Sequence, residues 1–341
     1  MTHMEKELRE TPQVIAAQLS RNQDILIQLA KRIREVSPPF VLTIARGSSD
    51  HAATFAKYLF ETQLGLITAT AAPSVVTLYQ SKLSLKNALV IALSQSGGSP
   101  DLISTLKAAR VAGALTVAFV NQADSPLAAE AEYVIPLHAG VESSVAATKS
   151  YLAMLAALLQ CIAVLANDIK LQNALTQLPA QLQHAIELDW FPALDMYHDA
   201  QNTLVIGRGY SFPIAQEAAL KFKETARIHA EAFSSAEILH GPFALINQHF
   251  PALLFAQSDE TLQSMLDIAK RLREAGARVL MATHVAVPTG ITVLPVAMPL
   301  HPLCDPLLMI QAFYRMIETL SVQRGLNPDT PIHLEKVTKT W

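Results

Sequence analysis

Val41-Leu42-Thr43-Ile44-Ala45-Arg46-Gly47-Ser48-Ser49 and Thr203-Leu204-Val205-Ile206-Gly207-Arg208-Gly209-Tyr210-Ser211 are two versions of one phrase, an apolar run ending in a turn of small residues. Their arginines lie 162 positions apart (208 − 46). The pattern widens on either side. Ser94-Gln95-Ser96 closes the run Ile91-Ala92-Leu93, and Gln257-Ser258 closes Leu254-Phe255-Ala256 at the same offset (257 − 95). Ala112-Gly113-Ala114 returns as Ala275-Gly276-Ala277. So long a period fits no solenoid repeat and indicates a duplicated domain. All-apolar runs of strand length, such as Ala88–Leu93, read as strands covered on both faces of a parallel sheet. Strands alternating with helical patterns then predict an α/β chain built of two tandem, doubly wound parallel sheets.

The chain reads as an N-terminal helical segment (1–38), a first α/β domain (39–168), a helical bridge (169–200), a second α/β domain (201–324) and a polar tail (325–341). The first helix is predicted to start near Pro12, which a first helical turn tolerates, and to run through Ile15, Leu19, Ile25 and Leu29. Val145–Ala166 reads as one long buried helix, and Leu171–Gln201 as helical bridge. In the second copy the order is strand Thr203–Ile206, helix Pro213–Ile228, then strand Ala252–Ala256.

At 341 residues, each half is long enough to bury its own core. An apolar content of 51% against 16% charged residues excludes disorder, and a net charge of −3 leaves no basic footprint for nucleic acid. The two cysteines, Cys161 and Cys304, have neither metal-ligand nor redox spacing and read as buried hydrophobes in a reducing compartment. No run approaches the ~18 apolar residues of a membrane span, and the charged N-terminus is no signal peptide. A cytoplasmic protein is the expectation.

Ser94-Gln95-Ser96-Gly97-Gly98-Ser99 leaves a buried strand and enters a helix, the place where ligands bind in open α/β sheets. Backbone N–H groups and the dipole at a helix start favour an anion there. Ser94, Ser96 and Ser99 add hydroxyls and Gln95 an amide, while Ser48 and Ser49 end the equivalent first strand. A simple N-capped turn is the alternative for either motif alone. Two serine-rich strand ends in one domain favour an anion site. In the second copy, Glu217, Lys221 and Glu224 share one helix face at i, i+4 and i+7. A solvated face with helix salt bridges explains that spacing as well as proton transfer does. His240-Gly241-Pro242 sets a group that titrates near neutrality beside a constrained backbone, with Glu231 and Glu237 nearby. One copy reads as built to hold an anion, the other to move protons.

These residues resemble the sugar isomerase (SIS) family, in particular the isomerase half of glucosamine-6-phosphate synthase and stand-alone glucosamine-6-phosphate deaminases. The resemblance covers nearly the whole chain. It rests on His3-x-x-Lys6-Glu7, Gly47-Ser48-Ser49, Ser94-Gln95-Ser96-Gly97, Val145-Ala146-Ala147-Thr148-Lys149, Glu217-x-x-Leu220-Lys221-x-Lys223-Glu224, Ile228-His229-Ala230-Glu231, Glu237-x-x-His240-Gly241-Pro242 and Lys336. It implies two tandem SIS domains of flavodoxin-like, three-layer form. It implies further that Ser48, Ser49, Ser94, Gln95, Ser96 and Ser99 hold a sugar phosphate, with the Val145 backbone and Glu335 near the sugar. Glu224 would move a proton between C1 and C2, with Lys221 assisting at a hydroxyl. His240 would open the ring from the neighbouring subunit of a homodimer, and Lys336 would meet the open-chain carbonyl, as a Schiff base in one version.

Three positions depart from the synthases: Arg46 stands for a cysteine, Gly98 for a glutamate and Glu335 for a small residue. No cysteine precedes the first strand, so a glutaminase step is not expected, and ammonia release is. The expected reaction turns glucosamine 6-phosphate and water into fructose 6-phosphate and ammonia, without metal or organic cofactor. Galactosamine-6-phosphate deamination and fructosamine-phosphate deglycation are the alternatives within the enzyme class. A non-catalytic sugar-phosphate sensor is the alternative outside it.

Overall fold

A computed structural model describes residues 1–336 of the chain, so residues 337–341 of the polar tail lie outside the described residues. The fold opens with helices α1 (His3–Arg21) and α2 (Gln23–Val36). The first α/β copy follows as β1 (Val41–Ile44), α3 (Ser48–Leu64), β2 (Thr68–Thr70), α4 (Pro73–Thr77), β3 (Leu89–Ser94), α5 (Pro100–Val111), β4 (Leu115–Val120), α6 (Pro126–Ala129), β5 (Tyr133–Pro136) and α7 (Lys149–Leu165). After α8 (Ile169–Glu187) and α9 (Pro192–Tyr197) comes the second copy: β6 (Asn202–Gly207), α10 (Phe212–Ala226), β7 (His229–Ser234), β8 (Pro251–Phe255), α11 (Leu262–Glu274), β9 (Arg278–Ala282), β10 (Thr292–Leu294) and α12 (Asp305–Gln323).

The chain divides into two compact units. One, the first-sheet unit, comprises residues 13–142, 149–176 and 335 onward; the other, the second-sheet unit, comprises 1–12, 143–148 and 177–334. The first sheet has the order β2-β1-β3-β4-β5 and the second β10-β9-β8-β6-β7, every pairing parallel. Read from the other edge the second order is β7-β6-β8-β9-β10, the topology of the first. The 162-residue echo is therefore a structural duplication. Every residue of β3 and β4 is buried, Ser94 and Thr116 included, as predominantly apolar strands in a doubly covered sheet should be.

The N-terminal helix corrects the sequence expectation. It starts at His3, nine residues before Pro12, which lies inside it. The Asp329 carboxylate caps the start, accepting from the N–H groups of His3 and Met4 at 2.8 Å each. Pro12 has no N–H for the Leu8 carbonyl four residues back. That carbonyl accepts instead from Gln311 Nε2 at 2.7 Å, so a side chain of α12 makes an internal proline tolerable. A second correction concerns Val145: residues 143–148 are irregular, and the helix predicted to start at Val145 begins at Lys149. A third is strand β7, which the apolar-run reading missed. His229-Ala230-Glu231-Ala232-Phe233-Ser234 is an edge strand whose first residues alternate between exposed and buried, so no continuous run marks it.

In the first-sheet unit, Leu42, Ile44, Val90 and Ala92 from the strands pack with Leu102 and Leu106 of α5. In the second-sheet unit, Phe313 of α12 packs edge-on against Phe222 of α10 at 5.3 Å, and Tyr197 of α9 meets Phe222 at 4.6 Å. These contacts fix α10, which carries the charged helix face. Cys161 and Cys304 are free and buried, and burial pushes the Cys161 thiol up to about 12.

One buried charge has little compensation. Burial pushes the Asp305 carboxyl at the start of α12 up to about 7; the Leu300 backbone N–H opposes this and the Asp259 carboxylate adds to it. An acid whose folded pKa is raised loses stability as pH climbs from its unfolded value to its folded one, because only the unfolded chain ionises in that window. The wild-type chain should therefore lose stability relative to Asp305→Asn between about pH 4 and pH 7 and run parallel to it above. Urea midpoints measured across that range check the sign.

Candidate active site

In the first sheet, the connections leave β1 and β3 in opposite directions, so their carboxyl ends bound a crevice at the switch point. Both serine motifs lie there. Gly47 adopts φ +55°, and α3 begins directly at Ser48. The second turn is fixed from within: the Ser94 hydroxyl accepts from the Gly97 N–H at 3.0 Å, and that of Ser96 from the Gly98 N–H at 3.3 Å. Gly97 is required. It sits at φ +62°, and a Cβ there would lie 2.1 Å from Ser125 Oγ. Ser99 occupies the N-cap position of α5, yet its side chain makes no cap hydrogen bond. The N-cap alternative therefore does not account for that hydroxyl.

Arg46 ends the same crevice. Its Nε and Nη2 both lie 3.0 Å from Asp101 Oδ2, a carboxylate buried in the first turn of α5. Asp101 Oδ1 accepts from the Leu102 N–H at 2.8 Å. Burial also raises the Asp50 carboxyl in the first turn of α3, against the pull of His51 and Arg46.

Lys336 belongs to the same unit and pairs with Glu142 at 2.9 Å. Glu142 is fully buried, and its Oε2 accepts from the Ser150 hydroxyl at 2.6 Å. Burial opposes that charge, yet the Lys336 ammonium and the Ser150 donors hold the carboxyl below its ordinary range. Glu335, beside Lys336, is exposed.

The charged face of α10 lies in the second-sheet unit, and it is not a solvated face. Lys221 and Glu217 are both 0% exposed, and Lys221 Nζ lies 3.1 Å from Glu217 and 2.6 Å from Glu224. Tyr314 of α12 donates to the Glu217 carboxylate at 3.2 Å. Burial works against the Lys221 charge, but the two carboxylates outweigh it and hold the ammonium above its usual range. Glu224 alone of the three reaches solvent, at 19%.

Val145 lies in the irregular 143–148 segment, and its N–H donates to the Asp329 carbonyl at 3.0 Å. The buried Glu7 of α1 accepts from the backbone N–H groups of Ser143 and Ser144. His240 is the exposed last residue of a 3-10 turn, Glu237–His240, and borders a cleft with Arg208, Ser235, Ser264 and Arg271. The structure thus gathers the serines at one crevice, joins Lys221 to Glu224, and pairs Lys336 with a residue the sequence did not suggest. The sequence reading gave no role to Glu142, Ser150 or Tyr314, and named Glu7 only within a motif, without its contact. Their partners lie far away in sequence in every case but Ser150, and no spacing rule sees them. Among the described residues no group of three or more His, Cys, Asp or Glu side chains is placed to hold a metal ion, and no helix is long and apolar enough to cross a membrane.

A family model, the SIS domain, matches residues 38–164 and 196–287, one stretch in each copy. The chain belongs to the SIS domain family. Glutamine–fructose-6-phosphate aminotransferase (isomerizing) of Thermus thermophilus is 31% identical over 98% of the chain, which spans 58% of that relative's length. A solved protein from Silicibacter pomeroyi, assigned as a phosphosugar isomerase, is 40% identical, with a TM-score of 0.92 over 96% of this chain and 100% of that one. The C-terminal domain of glucosamine-fructose-6-phosphate aminotransferase from Francisella tularensis shares the fold at 24% identity and a TM-score of 0.87, over 97% and 98%.

Within this SIS chain, removing the cation from the α10 trio leaves Glu217 buried without its charge partner. Breaking a buried pair from one side costs about 3–5 kcal/mol. Lys221→Met should lower the unfolding free energy by that order, while Glu224→Gln, at the exposed end, should lower it by less than about 1 kcal/mol. Chemical denaturation of the two variants side by side checks the contrast.

Proposed function

We propose that the chain is an aldose–ketose isomerising deaminase of amino-sugar phosphates. It acts on glucosamine 6-phosphate and water and yields fructose 6-phosphate and ammonia. The observation that carries this reading is the α10 trio, a fully buried ammonium held by one buried and one solvent-reaching carboxylate. A carboxylate that accepts a strong hydrogen bond at one oxygen and keeps the other for substrate is suited to taking a proton from C2 and returning it at C1. Glu224 is that group, and Lys221 and Glu217 hold it in place.

The serine crevice is assigned to the phosphate. Hydrogen bonds to a charged partner are worth roughly 1.5–3 kcal/mol each, so Ser48, Ser49, Ser94, Gln95, Ser96 and Ser99 with two helix starts can grip a dianion without a free cation. Lys336 is assigned to the open-chain oxygen. An ammonium in an ion pair donates hydrogen bonds and is no nucleophile until it gives up a proton. Its Glu142 partner, held below the ordinary carboxyl range, is a poor acceptor for that proton. We therefore favour Lys336 as a charge that polarises the carbonyl over Lys336 as a Schiff base. His240 is assigned to ring opening, across a homodimer interface, and Val145 and Glu335 to the sugar edge.

By its name, the Thermus relative acts on glutamine and fructose 6-phosphate with isomerisation. The same C1–C2 shift run from the amino sugar gives an imine, which water hydrolyses to ketose and ammonia. The purified chain should release ammonia and fructose 6-phosphate in equal amounts from glucosamine 6-phosphate in a panel with galactosamine 6-phosphate and fructosamine phosphates. Ketose formed without ammonia would leave an isomerase of neutral sugars, and ligand-raised melting without turnover would leave a sensor. Glu224→Gln should lower kcat by about 10²–10⁴-fold with little change in substrate binding, the mark of a lost general base.

A further inference from the structure

The second copy has its own switch-point crevice, between the carboxyl ends of β6 and β8, and its chemistry is reversed. At the 162-residue offset Gln95 becomes Gln257, Gly97 becomes Asp259 and Ser99 becomes Thr261. The Asp259 carboxylate accepts from the Thr261 N–H at 2.8 Å, from its hydroxyl at 2.5 Å, and from the Gln257 side-chain amide. The turn built of glycines and serine hydroxyls in the first copy therefore carries an anion of the chain itself in the second.

Beside it lies a cleft of about 380 Å³ whose lining includes Arg208, Ser235, His240, Ser264, Asp267 and Arg271. A hydrogen-bond relay runs through it. Arg208 donates to Ser235 at 3.4 Å, Ser235 lies 3.2 Å from Ser264, and Ser264 donates to the Thr261 carbonyl at 2.8 Å. Ser264 spends its proton on that carbonyl, so Ser235 donates to Ser264. Arg208 thus uses one of the five N–H groups of a guanidinium. Arg271 stacks over Phe243 at 5.6 Å, and neither arginine has a carboxylate partner among the described residues. With one carboxylate, Asp267, against two guanidinium groups, the lining is net cationic.

We propose that this cleft is a second ligand site, one for a phosphorylated sugar. Arg208 and Arg271 would hold the phosphate, as paired guanidinium groups do. Asp267 and Ser235 would take sugar hydroxyls. The volume lies in the range of small-ligand pockets. On the proposed function the first copy grips phosphate with neutral donors; the second puts Asp259 in the equivalent turn and presents a cationic cleft beside it.

Titration calorimetry with fructose 6-phosphate tests this on the intact chain. Wild type should bind two molecules per chain. Arg208→Ala/Arg271→Ala should remove one of them or weaken it at least about tenfold, the loss expected for a charge-assisted hydrogen bond. Ser96→Ala should weaken the other molecule and spare this one. The exposed Arg271→Glu alone, with an unchanged melting temperature, should repeat the loss if the double variant unfolds. Binding, of one molecule or two per chain, that ignores the arginine changes would overturn the proposal, whereas a single molecule lost on those changes would uphold it and count against the serine crevice instead. Neither arginine belongs to the proposed proton-transfer set, so ammonia release from glucosamine 6-phosphate judges the functional reading separately.

Discussion

A charge enters the interior of this chain only when a partner enters with it, and that constraint organises the molecule. Removing an ion from water costs several kcal/mol even after relaxation, unless hydrogen bonds and counter-charge replace the solvent. Glu142 is matched by Lys336 and Ser150, Glu217 by Lys221 and Tyr314, Asp101 by Arg46 and the Leu102 amide, and Glu7 by the amides of Ser143 and Ser144. Each match joins elements that the hydrophobic core alone would leave free to slide. Asp305, with the least compensation, is the exception, and its raised pKa is what the same constraint produces when the partner is missing.

The constraint also decides which groups are fit for chemistry. Lys221 lies between two carboxylates and is fully buried, so it serves better as a fixed positive charge than as an acid that gives and recovers protons. Glu224 differs from Glu217 by a modest exposure, and that difference separates a carboxylate open to solvent from one that is fully enclosed. Helical spacing gave the two equal standing. What distinguishes them is tertiary structure: Glu217 is fully buried and accepts from Tyr314 of α12, whereas Glu224 stays partly exposed.

The fold was legible because duplication writes its evidence twice. The two apolar strands that end in small-residue turns recur at one offset, and the strands buried on both faces carry only Ser94 and Thr116 to blur the pattern. The reading failed where the local pattern was weak or misleading. An edge strand alternates, so β7 looked like loop. Pro12 looked like a helix start because its real support, Gln311, lies 303 residues from the carbonyl it rescues. At the candidate site the same divide holds. The serine turns and the α10 spacing are local and visible, whereas the Glu142–Lys336 pair spans 194 residues and the Glu7 contact 136. Folding makes those neighbours, and no window on the sequence contains both partners.

The two copies show how one topology supports two electrostatic strategies at the same edge. Strand direction and helix starts supply a mild positive field at the carboxyl end of either sheet, and the sequence then chooses what meets it. In the first copy Arg46 is tied to Asp101, so its charge is neutralised and the crevice is left with hydroxyls and amides, which act at hydrogen-bond range and depend little on salt. On the proposed function such a site would recognise an anion by shape, because every donor must find its oxygen. In the second copy Arg208, at the equivalent position, has only a serine hydroxyl as partner, and its charge remains available beyond the first contact shell. The divergence needs little more than a change of partner for one arginine and the replacement of a glycine by an aspartate in one turn. Duplication makes such changes tolerable, since the core that builds the crevice is kept while its rim is free to vary.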